Sequence, residues 1–101
     1  MLDTLNYKEL AAQVNTKFLL TETTEPIELE LVEATEQQIT PRQEMFSLIF
    51  LGPKELLLPQ RMYQLAHERL GNGTLFLVPI GQSEEGIRYE AAFNRLINPA
   101  D

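Results

Sequence analysis

The chain has no cysteine. Disulfides, thiolate nucleophiles and thiolate zinc sites are therefore excluded, so packing or a partner must hold the fold. Histidine is almost as scarce. His67 is the only one, and so the only side chain with an ordinary pKa near neutrality. Lys and Arg are missing from Thr21 to Glu36, a stretch that holds Glu22, Glu25, Glu28, Glu30, Glu33 and Glu36. Long apolar runs are missing too. The longest, around Leu48–Leu51 and Leu75–Ile80, are too short to cross a bilayer as a helix. The opening Met1-Leu-Asp-Thr-Leu5 lacks the basic region of a secretory signal, so a cytoplasmic location is expected.

What remains is ordinary globular material. The 101 residues are 44% apolar and 23% charged, which suits one domain spanning 1–101. A chain of this size buries roughly two thirds of its unfolded surface. Net charge is −7 and uneven: residues 1–41 carry −6 and residues 42–101 carry −1. An acidic surface repels phosphate backbones and anionic lipid, so neither nucleic acid nor membrane is an expected partner.

The N-terminal segment reads as a helix over residues 5–16. Tyr7, Leu10, Ala11, Val14 and Phe18 recur at helical spacing. Asn6 is a suitable N-cap, Glu9 completes a capping box, and Leu5 and Leu10 stand at the two positions of a hydrophobic staple. An acidic connector follows over 19–26. The β-rich body spans 27–94. Ile27, Leu29 and Leu31 alternate with Glu28 and Glu30, then parity slips, which predicts a bulge near Leu31–Val32. A turn is expected around Thr40–Arg42. Met45–Leu51 is apolar on both faces and so requires cover on both, by the helix or by a second protein. Gly52-Pro53 stops it, and residues 54–60 form a loop over an open end of the sheet. Met62–His67, Leu75–Pro79 and Ile87–Phe93 are the remaining strands. They are separated by a turn at Leu70–Thr74 and a hairpin loop at Gly81–Gly86. The tail, 95–101, is expected to fray. The fold class is α+β: a five-stranded antiparallel meander, forming a curled sheet or half-open barrel, with one N-terminal helix packed on it.

Five stretches resemble a known family. They are Phe46-Ser-Leu-Ile-Phe-Leu-Gly-Pro53, Leu58-Pro-Gln60, Tyr63-Gln-Leu-Ala-His67, Leu75-Phe-Leu-Val-Pro79 and Arg88-Tyr-Glu-Ala-Ala-Phe-Asn94. Over about residues 45–94 the chain is similar to a family of small bacterial proteins known only as a domain of unknown function. The resemblance implies no catalytic residues. Proximity of such genes to those of phage-tail-collar-like proteins implies an accessory role in a larger assembly. The acidic N-terminal third lies outside its clearest part, so the helix and first strand read as this chain's own specialisation.

Chemistry has little support. His67 and Glu68 are adjacent on a strand and point to opposite faces, so Glu68 does not orient the imidazole. The favoured reading of His67 is a half-buried histidine bonded to a loop carbonyl. Glu28, Glu30 and, past the bulge, Glu33 form a carboxylate row. Without an EF-hand-like loop it reads as a solvated face that blocks edge aggregation or meets a basic partner, and not as a metal site. Gly81–Gly86 lacks the lysine of a phosphate loop, and no serine sits in a nucleophile-elbow context. Arg88, Glu90 and Arg61 are read as surface ion pairs. Leu56, Leu57 and Leu58 are the strongest interaction candidates, because three consecutive loop leucines cannot all face one small core.

The expectation is a non-enzymatic protein-interaction or assembly module without cofactor, binding itself or another protein through Leu56–Leu58 or an exposed strand edge, with the acidic segment 22–36, Glu28, Glu30 and Glu33 among it, steering a basic partner. The alternative is a small-molecule-binding β-barrel, with or without weak catalysis, lined by Phe50, Tyr63, Phe76 and Tyr89. It requires an internal cavity of several hundred Å3.

Overall fold

A computed structural model describes residues 2–40 and 42–96. Six strands carry the fold: β1 (Lys17–Leu20), β2 (Ile27–Ile39), β3 (Gln43–Gly52), β4 (Arg61–His67), β5 (Gly71–Ser83) and β6 (Gly86–Leu96). One short helix, α1 (Tyr7–Ala11), follows a single 3-10 turn at Leu2–Thr4. The strands close into an antiparallel ring in the order β1-β2-β3-β6-β5-β4, with β4 returning to β1.

The architecture is therefore mostly antiparallel sheet with one short helix, but the expected five-stranded open meander is corrected in two respects. A sixth strand, β1, lies in the segment read as the end of a helix and a connector. The strands form two meanders, β1–β3 and β4–β6, joined by a crossover over residues 53–60. The meanders meet along β3 and β6, whose register runs unbroken from Gln43↔Leu96 to Gly52↔Ile87. They meet again along β1 and β4, where only Leu19↔Ala66 and Leu20↔Leu65 pair.

Local chemistry explains each element. Asn6 caps α1 by accepting from the Glu9 amide at 2.8 Å, and the Glu9 carboxylate accepts from the Asn6 amide at 3.2 Å, which completes the expected capping box. The helix stops far short of residue 16 because the chain turns at Ala12–Asn15, where Asn15 adopts a left-handed φ of 75°. Asparagine tolerates that conformation better than other non-glycine residues. Its amide donates to the Leu31 carbonyl at 2.6 Å and the Leu31 amide donates to the Thr16 carbonyl at 3.0 Å, so the chain enters β1 already paired with β2. The predicted bulge is present: register slips between Leu31 and Glu33, leaving Val32 as the extra residue, and a second slip lies between Glu36 and Gln38. Gly86 closes the β5–β6 hairpin at φ 147°, where a Cβ would fall 2.2 Å from the Gly52 carbonyl oxygen. Only glycine fits there.

The interior is filled by Phe18, Leu29, Leu31, Phe46, Leu48, Phe50, Leu65, Leu77 and Tyr89, each essentially without exposure. Phe18 meets Phe50 edge to face at 5.2 Å, and Phe46 stacks on Phe93 at 4.5 Å. The N-terminal segment packs against this inner side rather than over the outer face of β3. Tyr7 meets Phe46 edge to face at 5.4 Å, its amide donates to the Glu44 carboxylate at 3.1 Å, and Leu2 and Leu10 are buried in the same core. Arg95 fastens it, donating to the Leu5 carbonyl and to Glu44 at 3.1 Å while lying over the Phe46 and Phe93 rings. The outer side chains of β3, Met45, Ile49 and Leu51, are half-buried. The frayed tail expected from residue 95 is corrected for Arg95 and Leu96, which belong to β6; residues 97–101 lie outside the described residues, as does Pro41 of the expected turn. No helix among the described residues is long and apolar enough to cross a membrane.

Candidate interaction surface

The three loop leucines part company. Leu58 is buried in the core, whereas Leu56 and Leu57 are 43% and 63% exposed. Two tyrosines hold the loop in this arrangement. The Leu58 amide donates to the Tyr89 hydroxyl at 2.9 Å, and that hydroxyl donates to the Leu56 carbonyl at 3.3 Å. Burial pushes the Tyr89 pKa up, so the phenol keeps the proton it donates. Tyr63 donates to the Pro59 carbonyl from the other side. The exposed leucines thus sit on a backbone tied to the core at both ends.

A second exposed apolar cluster lies on the outer face of β4 and β5, where sequence reasoning named none. Met62 and Phe76 are directly opposed across the ladder and are 51% and 44% exposed. Ile80, also exposed, is the residue skipped by the register shift between Pro79 and Gly81. The signal was present in the period-2 pattern: Met62 and Phe76 fall on the parity opposite to Tyr63, Leu65, Leu75 and Leu77. It is weak because single apolar residues on an outer face are common.

The acidic row holds its geometry. Glu30 stands opposite Leu51 and Glu33 opposite Ile49, so the bulge at Val32 keeps Glu28, Glu30 and Glu33 on one outer face. Glu30 pairs with Lys17 at 3.5 Å, and Glu33 accepts from the Thr35 hydroxyl at 3.1 Å. A depression of about 460 Å3 runs between Glu28, Glu30, Leu51 and Pro53, reaching the start of the crossover but not Leu56 or Leu57. The carboxylates are spread along the strand, and no group of three or more metal-ligating side chains occurs among the described residues. Arg88 pairs with Glu85 at 3.6 Å and Arg61 with Glu22 at 3.2 Å, separate contacts at different places on the sheet.

His67 is buried, and both of its ring nitrogens are bonded. Nδ1 lies 3.0 Å from the Arg69 amide and 3.2 Å from the Leu70 amide, and Nε2 lies 2.9 Å from the Thr16 hydroxyl. Its pKa is lowered by burial first and by Arg69 second, against a raising contribution from Glu68. Of the aromatics named for a ligand cavity, Phe50, Tyr63 and Tyr89 are buried and Phe76 faces outward.

These features define a small ring-closed antiparallel domain with exposed apolar and acidic surface. The chain belongs to the domain of unknown function DUF6916, which matches residues 5–93. The match takes in α1 and β1, so the acidic N-terminal third is part of the family domain and not an addition peculiar to this chain. No curated protein and no solved structure matches it.

Proposed function

We propose that this domain is a non-enzymatic protein-interaction or assembly module. It docks through Leu56 and Leu57, and the acidic face bearing Glu28, Glu30 and Glu33 steers a basic partner. The supporting observation is the pinned crossover. Two exposed leucines sit on a loop whose backbone is held by Tyr89 and Tyr63, so little ordering entropy opposes docking. Like-placed apolar side chains in an ordered loop are common anchors of interfaces. Glutamates on the neighbouring strand raise the encounter rate with a cationic surface more than the final affinity. A role accessory to a larger, co-encoded or phage-tail-like assembly fits a small domain of this kind.

The test is solution mass by light scattering over a range of concentrations, with pull-down of neighbouring gene products. Self-association or a captured partner lost in Leu57→Asp, with the monomer still folded, supports the reading. Association unchanged by that substitution removes it. The ligand-binding alternative draws less support, because Phe76, one of the four aromatics it requires as lining, is 44% exposed on the outer face.

A further inference from the structure

The ring closes at β1 and β4 with two residue pairs and one further backbone bond, from the Thr21 amide to the Gln64 carbonyl at 3.2 Å, and side chains supply the rest of the seam. At one end Glu22 stands in for a strand residue. Its carboxylate accepts from the Gln64 amide at 2.9 Å and from Arg61 at 3.2 Å. At the other end is His67, and its hydrogen bonds fix its protonation state. Two backbone N–H groups of the β4–β5 turn point at Nδ1, and a nitrogen that receives two donors carries no proton. The Thr16 hydroxyl gives its single proton to the Gln13 carbonyl at 2.6 Å, so it can only accept from His67, and Nε2 must hold the hydrogen. Both ends of the ring demand the same neutral tautomer. Phe18 of β1 lies against the imidazole at 4.4 Å, which completes the packing across the seam.

A second proton can enter only at Nδ1, where it would face the Arg69 and Leu70 amides. The ring would have to leave the turn, stripping two backbone donors of their acceptor and pulling away from Phe18 and Thr16. The charged groups nearby do not prevent this. Lys17 of β1 and Glu28 of β2 share the depression at His67 with Glu68, and Arg69 sits on the turn itself.

We propose that His67 is a proton-operated latch on the seam: protonation at Nδ1 releases the Glu68–Leu70 turn and parts β1 from β4, turning the closed ring into an open sheet with two free strand edges. The β3–β6 ladder holds the domain together while the seam is open, because its ten register pairs involve neither His67 nor its partners.

The experiment is hydrogen exchange on the full chain at about pH 7.5 and about pH 5.5, corrected for intrinsic rates, a window that spans the ordinary histidine range. Amides of Leu19–Thr21 and Gln64–Ala66 are expected to lose about tenfold or more of their protection at the lower pH, while Phe46–Phe50 hold theirs. In His67→Asn the carboxamide oxygen can cap the turn but cannot titrate, so the seam should become insensitive to pH. Parallel loss in seam and ladder, no loss in either, or the same response in His67→Asn would overturn the latch. Should that variant fail to fold, imidazole nitrogen NMR of the unaltered chain decides. The expected result is a bare Nδ1 at neutral pH, with the Arg69 and Leu70 amides shifting at the same midpoint as the ring. A proton on Nδ1 at neutrality, or separate midpoints, would overturn it.

Discussion

The ring is joined at two places built from different materials. Along β3 and β6 the junction is backbone: ten consecutive pairs with Phe46, Leu48, Phe50, Tyr89 and Ala91 buried beneath them. Along β1 and β4 the backbone part is short, two pairs and the Thr21 amide on the Gln64 carbonyl, and side chains extend it: Glu22 reaching to Gln64 and His67 reaching to Thr16. A backbone ladder is indifferent to pH and tolerant of surface substitution. A side-chain seam depends on a few identities and on their charge. One junction gives the domain its cohesion, and the other can be adjusted without dismantling it.

Substitutions can separate the two. The largest effect is expected in the ladder. Phe50→Ala empties the centre of the core and should cost about 3–5 kcal/mol in urea denaturation, with a lower midpoint for the whole domain. Gly86→Ala comes next. Its Cβ would strike the Gly52 carbonyl from a left-handed backbone, and a loss of about 1–3 kcal/mol is expected in the same measurement. Glu22→Ala removes the acceptor of the Gln64 amide at a half-exposed site, for about 0.5–1.5 kcal/mol. Exchange at Gln64 should quicken while exchange in β3 does not, and equal changes in both would mean that the junctions are not separable. Stability should also slope gently with pH. The folded-state pKa of His67 lies below its unfolded value, so the neutral ring contributes its full stability above about pH 6.5. That contribution is lost as pH falls from there through the folded value. A midpoint that rises on mild acidification would contradict the assignment. Leu57→Asp, outside both junctions, should leave stability within about 0.5 kcal/mol while removing association.

The sequence made local structure legible wherever neighbouring residues decide it. Asn6 and Glu9 announced the helix start, and the parity slip after Leu31 announced the bulge. Lys17–Leu20 escaped because Phe18 continues the spacing of Leu10, Ala11 and Val14, and four residues are too few to show alternation. The β4–β5 turn was placed at the glycine-rich Leu70–Thr74, but the chain turns at Glu68–Leu70, where the His67 ring caps it, leaving Gly71 to supply the left-handed φ. Ring closure was not legible, since it joins residues far apart in the chain. Of the interaction candidates, the split between buried Leu58 and exposed Leu56 and Leu57 matched the geometric argument that one loop cannot bury all three. The Met62–Phe76 pair was overlooked because single apolar residues on an outer face are common, and the misplaced β4–β5 turn hid the register that opposes them.

The pairing of Gln43 with Leu96 and of Gly52 with Ile87 also has a temporal consequence. During synthesis β3 emerges long before β6, and its neighbour on that side does not yet exist. The nascent chain carries Phe46, Leu48 and Phe50 on a strand with one bare edge until nearly the last residue of β6 has been added. Non-local closure of this kind folds slowly and exposes strand edges meanwhile. The hazardous interval for this domain is therefore the wait on the ribosome, and the rate at which the second meander is translated sets its length.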